Sequence, residues 1–169
     1  VYAPADQRNY KTVRDVPVTV RVSPASIAAL DFGVDEGDVV YTGEPRTKAV
    51  SCEGLVAGTD YEVTYSDNVE AGTAKLVIEG MGNYSGRQEH SFRILQADPD
   101  FEAPTGLAAA YGQALSDVAL PDGFSWQEDA STPVGPVGDN GFHVVYAPAD
   151  QRNYKTVRDV PVTVRVSPA

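Results

Sequence analysis

The chain has 169 residues, 42% of them hydrophobic, with one cysteine and a net charge of −11. That apolar content suffices for packed cores in one or two domains and excludes a wholly disordered chain. No run of 18 apolar residues occurs, so no membrane-spanning helix is expected, and the lone Cys52 permits neither an internal disulfide nor a CxxC-type metal cluster.

In chain order, the first feature is a duplication. Residues 1–25, VYAPADQRNYKTVRDVPVTVRVSPA, recur without one substitution as residues 145–169. Residue 1 returns at 145, so the repeating unit is 144 residues long. Either the natural protein is a tandem array of near-identical units, or one end was duplicated artificially. A single domain gains nothing from a spare copy of its last segment. A piece cut from an array would hold one whole unit plus the tail of the unit before it, and the array is the preferred reading. VYAPADQRNY has no charged region followed by an apolar run, so no signal peptide is expected there. Each copy carries Arg, Lys, Arg and Arg against two Asp; with +2 from each copy, residues 26–144 hold −15 of the total −11. Such a surface repels phosphate, so neither nucleic acid nor an anionic membrane is an expected partner.

From residue 26 onward the hydrophobic period is two. In DYEVTY (60–65), Tyr61, Val63 and Tyr65 share one face; in DVPVTVRV (159–166), Val160, Val162, Val164 and Val166 do so. This is the pattern of half-buried strands. Further strands are predicted at 38–41, 47–51, 73–79, 88–95, 116–119 and 142–147, punctuated by TGEP, VAGTD, SDNVEAG, GMGN, LPDG and GDNG. Pro161 cannot donate to a ladder, so its strand is expected at an edge or with an irregular start. SIAAL and TGLAAAYG tolerate helix but are too short to stand alone. Short strands with frequent turn signals predict an all-β fold, sandwich or small barrel.

The unit itself appears twofold. In 73–95 and in 142–166 an alternating run, a turn and an Asn-Tyr pair precede a second alternating run. Tyr84 precedes Phe92 by eight residues and Ile94 by ten, as Tyr154 precedes Val162 and Val164. Two related β domains are therefore expected, 26–97 and 98–169, with 1–25 as the end of a preceding copy. Domains of that size bury little over 60% of their unfolded surface, so large aromatic side chains matter. Trp126 is assigned to the second core. Tyr84 and Tyr154 are assigned scaffold roles of the tyrosine-corner kind, hydroxyl tied to backbone.

No constellation of catalytic residues is found, and an enzyme is not expected. GMGNYSG contains GxG, but a nucleotide loop leads into a helix and here a strand follows. His90 and His143 lie in predicted strands without a second ligand at metal spacing. Cys52 has no histidine nearby and reads as a small hydrophobe. Asp98, Asp100 and Glu102 in ADPDFEAP offer oxygen ligands that would suit calcium, although an acidic linker needs no metal. The four lysines, Lys11, Lys48, Lys75 and Lys155, are the candidates for a crosslink to Asn or Asp. No cofactor is implied.

The stretch VYTGEP…LVAGTDYEVTYSDNVEAGTAKLVIEGMGNYSGRQEHSFRI, residues 40–94, resembles repeats of large bacterial cell-surface and cell-wall proteins. The match runs through Tyr41-Thr42-Gly43, Gly58-Thr59-Asp60-Tyr61, Ala71-Gly72-Thr73-Ala74 and Gly82-Asn83-Tyr84-Ser85-Gly86. The second half, with YGQALSDVALPDGFSW, resembles a companion repeat of the same proteins. The resemblance implies extracellular Ig-like β-sandwich modules in tandem, or β-grasp-like modules, in adhesins and stalks, with no catalytic residues. Cys52 departs from it, because such repeats usually lack cysteine. The implied function is a structural spacer attached to the cell wall, whose partners are adjacent copies of the repeat. The alternative is a module that itself binds a host protein or glycan, for which a clustered aromatic patch is expected; the nine tyrosines are dispersed.

Overall fold

The computed structural model describes all 169 residues, and the fold is all-β. Twelve strands occur in chain order: β1 (Ala25–Ser26), β2 (Gly33–Val34), β3 (Val39–Val40), β4 (Val50–Ser51), β5 (Tyr61–Ser66), β6 (Gly72–Gly80), β7 (Tyr84–Ser85), β8 (Arg87–Leu95), β9 (Leu107–Ala110), β10 (Phe124–Trp126), β11 (Gly138–Tyr146) and β12 (Val157–Ser167). They form two separate four-stranded sheets, β3-β8-β6-β5 and β10-β11-β12-β9, and two small pairs, β2-β4 and β1-β7.

The first sheet is built on the alternation seen in the sequence. Ala74, Leu76 and Ile78 of β6 and Phe92 and Ile94 of β8 are buried on one face, with Tyr61 of β5 beside them. The β6–β8 register opposes Ala74 to Phe92, and Gly72 to Ile94. This face is covered by Ile27, Phe32 and the β2-β4 pair, with Cys52 and Leu55 packed at its margin. Gln88 lies on the same side and donates from Nε2 to the carbonyls of Ile27 (2.7 Å) and Leu30 (2.8 Å), fastening the covering segment. The core is thus sandwich-like, with one full sheet and one fragmentary layer.

The second sheet is centred on β12, whose Val160, Val162, Val164 and Val166 are all buried. They pack with Leu107, Leu115, Val118, Val134 and Val144; Phe101, Phe124, Trp126 and Phe142 lean on this cluster from its rim. Its residues run from 101 to 166 and share no member with the first cluster, 27 to 94.

Three expectations from sequence are corrected. Residues 116–119 are not a strand: Leu115–Asp117 is one 3-10 turn, closed by the Asp117 amide on the Ala114 carbonyl (3.0 Å) and by the Asp117 carboxylate on the Ala114 amide (2.9 Å). Leu115 and Val118 are both buried, and a three-residue spacing meets one face in a 3-10 turn. Conversely, Leu107–Ala110, read as helix-tolerant, is strand β9, because its backbone pairs in parallel with Val164–Ser167. Tertiary pairing outweighs the high helix propensity of Ala.

Pro161 shows how the third expectation was half met. Its strand, β12, is internal to the sheet rather than an edge. Yet β9 reaches only Val164, so Pro161 lies on a stretch of β12 with an open outer side. On the inner side it faces His143. The His143 carbonyl accepts from Gln127 (3.0 Å) and its amide donates to Glu128, so both point away from β12. Pro161 therefore occupies a non-hydrogen-bonded position where its missing donor costs no ladder bond.

Candidate functional site at the junction of the two sheets

The junction is made by a turn that the sequence marks twice. Asp150, Arg152, Asn153 and Tyr154 follow the end of β11, and the Asp150 carboxylate caps the turn by accepting from the amides of Arg152 (3.2 Å) and Asn153 (3.1 Å). The Tyr154 amide then donates to the Asp150 carbonyl (3.1 Å). Asp serves here because its short carboxylate mimics a backbone acceptor two or three residues on. These hydrogen bonds, above all from the Asn153 side chain, hold the Asp150 carboxyl below its ordinary 3.8.

The tip of this turn is inserted against the first sheet. Asn153 is only 3% exposed, one of just two buried polar or charged side chains in the molecule. Its Oδ1 accepts from the Ala71 amide (2.8 Å), and its Nδ2 donates to Asp150 Oδ2 (2.8 Å) and to Glu70 Oε2. Backbone bonds flank it: the Ala97 amide donates to the Asn153 carbonyl (2.9 Å), and the Lys155 amide to the Ala97 carbonyl (3.0 Å). Gln96 Nε2 adds a bond to the Gln151 carbonyl (2.8 Å). Tyr154 lies edge-on against Tyr41, ring centroids 5.5 Å apart. Loss of hydration and the nearby Glu70, with smaller contributions from Tyr154 and Asp150, raise the Tyr41 hydroxyl above its ordinary 10.0. A buried amide with both ends satisfied fixes position, because any displacement strands polar groups away from water.

Copy 1–25 contains the same turn without its receptor. Asn9 Nδ2 donates to Asp6 Oδ2 (2.7 Å), Tyr2 bridges Val13 as Tyr146 does Val157, and Asp15 (φ 55°) repeats Asp159 (φ 58°). Local sequence therefore sets the hairpin in both copies. Tertiary surroundings differ: Asn9 and Tyr10 are exposed, and no strand forms over residues 14–24. Within the chain only Ala25–Ser26 of this segment pair outside its own hairpin, with Tyr84–Ser85. The reason is what the segment lacks: counterparts of β9 and of nearly all of β11, the two neighbours of β12.

The other sites singled out from sequence are placed as follows. Asp98, Asp100 and Glu102 are exposed and not gathered; Asp98 instead pairs with Lys155 (2.8 Å), and no group of three metal-ligating side chains forms anywhere in the chain. Trp126 is half-buried on the edge strand β10, not at the centre of the core; its Nε1 donates to the Val118 carbonyl (3.4 Å) and its ring meets Phe142 edge-on. Tyr84 opens β7 half-buried against the first core, its amide closing the turn on Met81 (2.9 Å). The hydroxyl-to-backbone ties expected of Tyr84 and Tyr154 belong to Tyr61, which donates to Val50 (3.2 Å), and Tyr65, which donates to Lys48 (2.8 Å).

In GMGNYSG, Gly82 and Gly86 take left-handed backbone (φ 62° and 90°), and Gly80 serves packing. A Cβ on Gly80 would fall 2.7 Å from the Ser85 nitrogen. His90 bonds Gln88 (3.2 Å), and His143 bonds Glu128 (3.1 Å). Cys52 is half-buried. Lys48 is the one buried lysine; its ammonium donates to the Gly37 carbonyl and to Asp35 Oδ2 (3.4 Å), 5.5 Å from the Phe92 ring centroid. The Gly37 amide, then Lys48, hold the largely exposed Asp35 carboxyl below its ordinary value, so this contact is an ion pair.

No protein-family model matches the chain, and no curated protein is similar enough to match it.

Proposed function

We propose that this chain is a structural spacer, a repeat of a bacterial surface protein whose tandem units project an adhesive region from the cell wall. The observation that carries this reading is the buried Asn153 lock between the first sheet and the turn of the second. A flexible tether would leave such a turn in solvent; a spacer benefits from a fixed joint at every unit. Identical 25-residue ends, 144 residues apart, fit the same reading, since recombination between identical segments adds or removes whole units. The acidic surface keeps neighbouring stalks apart. Within this reading the modules are Ig-like sandwiches, the location is extracellular, the partners are adjacent copies, and no residue has a catalytic role.

Length tests it directly. Chains carrying one, two and four units of residues 26–169 should show a maximum dimension by small-angle scattering that rises in proportion to unit number. Growth as the square root of unit number, the behaviour of freely jointed units, counts against a spacer. Antibody to the chain should also label intact cells; label confined to broken cells refutes the surface location.

A further inference from the structure

Two uncharged surfaces stand out on a chain of net charge −11. The first surrounds the end of β12. Ser167 pairs with Ala110, and its carbonyl accepts from the Tyr111 amide (2.8 Å). On the other flank Gly138 pairs with Val166, which puts Val137 beside Ser167. Tyr111 and Val137 are 59% and 54% exposed, and Tyr111 shares a concavity with Pro133 and Pro136. The second surface is the turn at which the chain enters the first sheet. There the Ala25 amide donates to the Asn83 carbonyl (2.9 Å) and the Ile27 amide to the Ser85 carbonyl (2.8 Å). Residues 109–115, 133–138 and 81–86 include no acidic or basic side chain.

We propose that Tyr111 and Val137 of one unit form the docking face for the Met81–Tyr84 turn of the following unit, a second joint of the array. This rests on the tandem-array reading and names the surfaces by which adjacent copies meet. The link between the two surfaces is a shared tripeptide. Ser167-Pro168-Ala169 ends β12, and its copy Ser23-Pro24-Ala25 runs without a spacer into Ser26, with Ala25 and Ser26 paired to Tyr84 and Ser85. In an array the residue after Ala169 is likewise Ser26 of the next unit. From Ser167 to Ala169 the chain spans at most about 7 Å. Pro168 fixes one φ on that path and holds Ser167 extended. The next unit's Asn83 turn therefore arrives beside Tyr111 and Val137. Covering these surfaces strips no ion of water, and aromatic and apolar side chains suit such a contact. The joint within a unit is polar and held by Asn153; the joint between units is apolar and set by a short, stiff connection.

The test extends the full chain by a second copy of residues 26–169 and compares its amide spectrum with that of the single chain. Tyr111 and Val137 then occur twice, once at the new joint and once at the far end. Each should give two signals of equal intensity, one at its single-chain position and one shifted and slower to exchange with solvent. Asn83 and Tyr84 should double in the same way. Tyr111→Ser with Val137→Ser in the first copy should return the second Asn83 and Tyr84 to their single-chain positions. Both side chains are exposed, so the same pair of substitutions should leave the rest of the single chain's spectrum unchanged. Undoubled signals at Tyr111, Val137 and Asn83 overturn the proposal, as does doubling at Asn83 that survives the substitutions. The array reading fails separately: a native gene in which no further unit follows residue 169 refutes it and leaves this spectrum as it is.

Discussion

Asn9 and Asn153 are the same residue in the same turn, bonded to equivalent aspartates, yet one is in solvent and the other buried. The pair isolates what the junction adds to a local motif. Asn153→Ala removes the acceptor for the Ala71 amide and a donor to Glu70, leaving polar groups unsatisfied in a closed interface. The expected cost is about 1–3 kcal/mol by denaturant unfolding, while Asn9→Ala should change stability by less than ~0.5 kcal/mol. Equal effects of the two substitutions would mean that the turn, not its docking, is what matters.

Titration at the same junction has a definite sign. Asp150 is held below 3.8, so its contribution is present above that pH and is lost as the pH falls through the lowered folded value. Tyr41 is raised above 10.0, so its contribution is intact below pH 10.0 and is lost as the pH climbs through the raised folded value. The joint should therefore loosen at both extremes, and scattering should show the chain flexing above pH 10 and below pH 3.8. Tyr41→Phe should abolish the alkaline response and leave the acid one; an alkaline response that survives the substitution assigns it to another group.

At the scale of elements, the long alternating strands β5, β6, β8 and β12 were legible because one face of each is buried and the other wet. β11 was legible only from Phe142, because its first residues, Gly138–Gly141, read as a turn and become strand only by pairing with Thr163–Val166. β9 was not. Its LAAA has no period, and only the backbone of Val164–Ser167 makes it a strand. The 3-10 turn at Leu115 hid for a related reason: Leu and Val three apart read equally as a strand or a tight turn until a carboxylate closes one of them. The joint was illegible in another way. The Asp-x-x-Asn spacing announces a turn, but that its Asn would be buried depends on Glu70 and Ala71, some eighty residues away. Tyr84 and Tyr154 were credited with hydroxyl ties that Tyr61 and Tyr65 make, since position after Asn says nothing about which hydroxyl meets a free carbonyl.

Two element-level substitutions follow. Gly80→Ala places a methyl against the Ser85 backbone, which cannot swing aside as a side chain can, and should cost the first sheet about 1–3 kcal/mol. Trp126→Ala should cost the second about 2 kcal/mol, below the ~3–5 kcal/mol of a fully buried ring, because the indole lies at the rim. Native Trp126 emission should fall between those of buried and free indole. A loss as large as for a central core residue would restore Trp126 to the middle of the core.

For the whole molecule, two cores with no shared residue are joined by one turn whose identical twin stands ready at the other end of the chain. Residues 1–25 hold the same hairpin, with Asn9 bonded to Asp6 as Asn153 is to Asp150 but left exposed. Rigidity of this joint is the central claim, and backbone amide relaxation of the intact chain measures it most directly. The account predicts that both sheets tumble with a single rotational diffusion tensor and that the Ala71 and Ala97 amides exchange slowly with solvent. Independent tumbling of the two sheets, with fast exchange at Ala71 and Ala97, would contradict it.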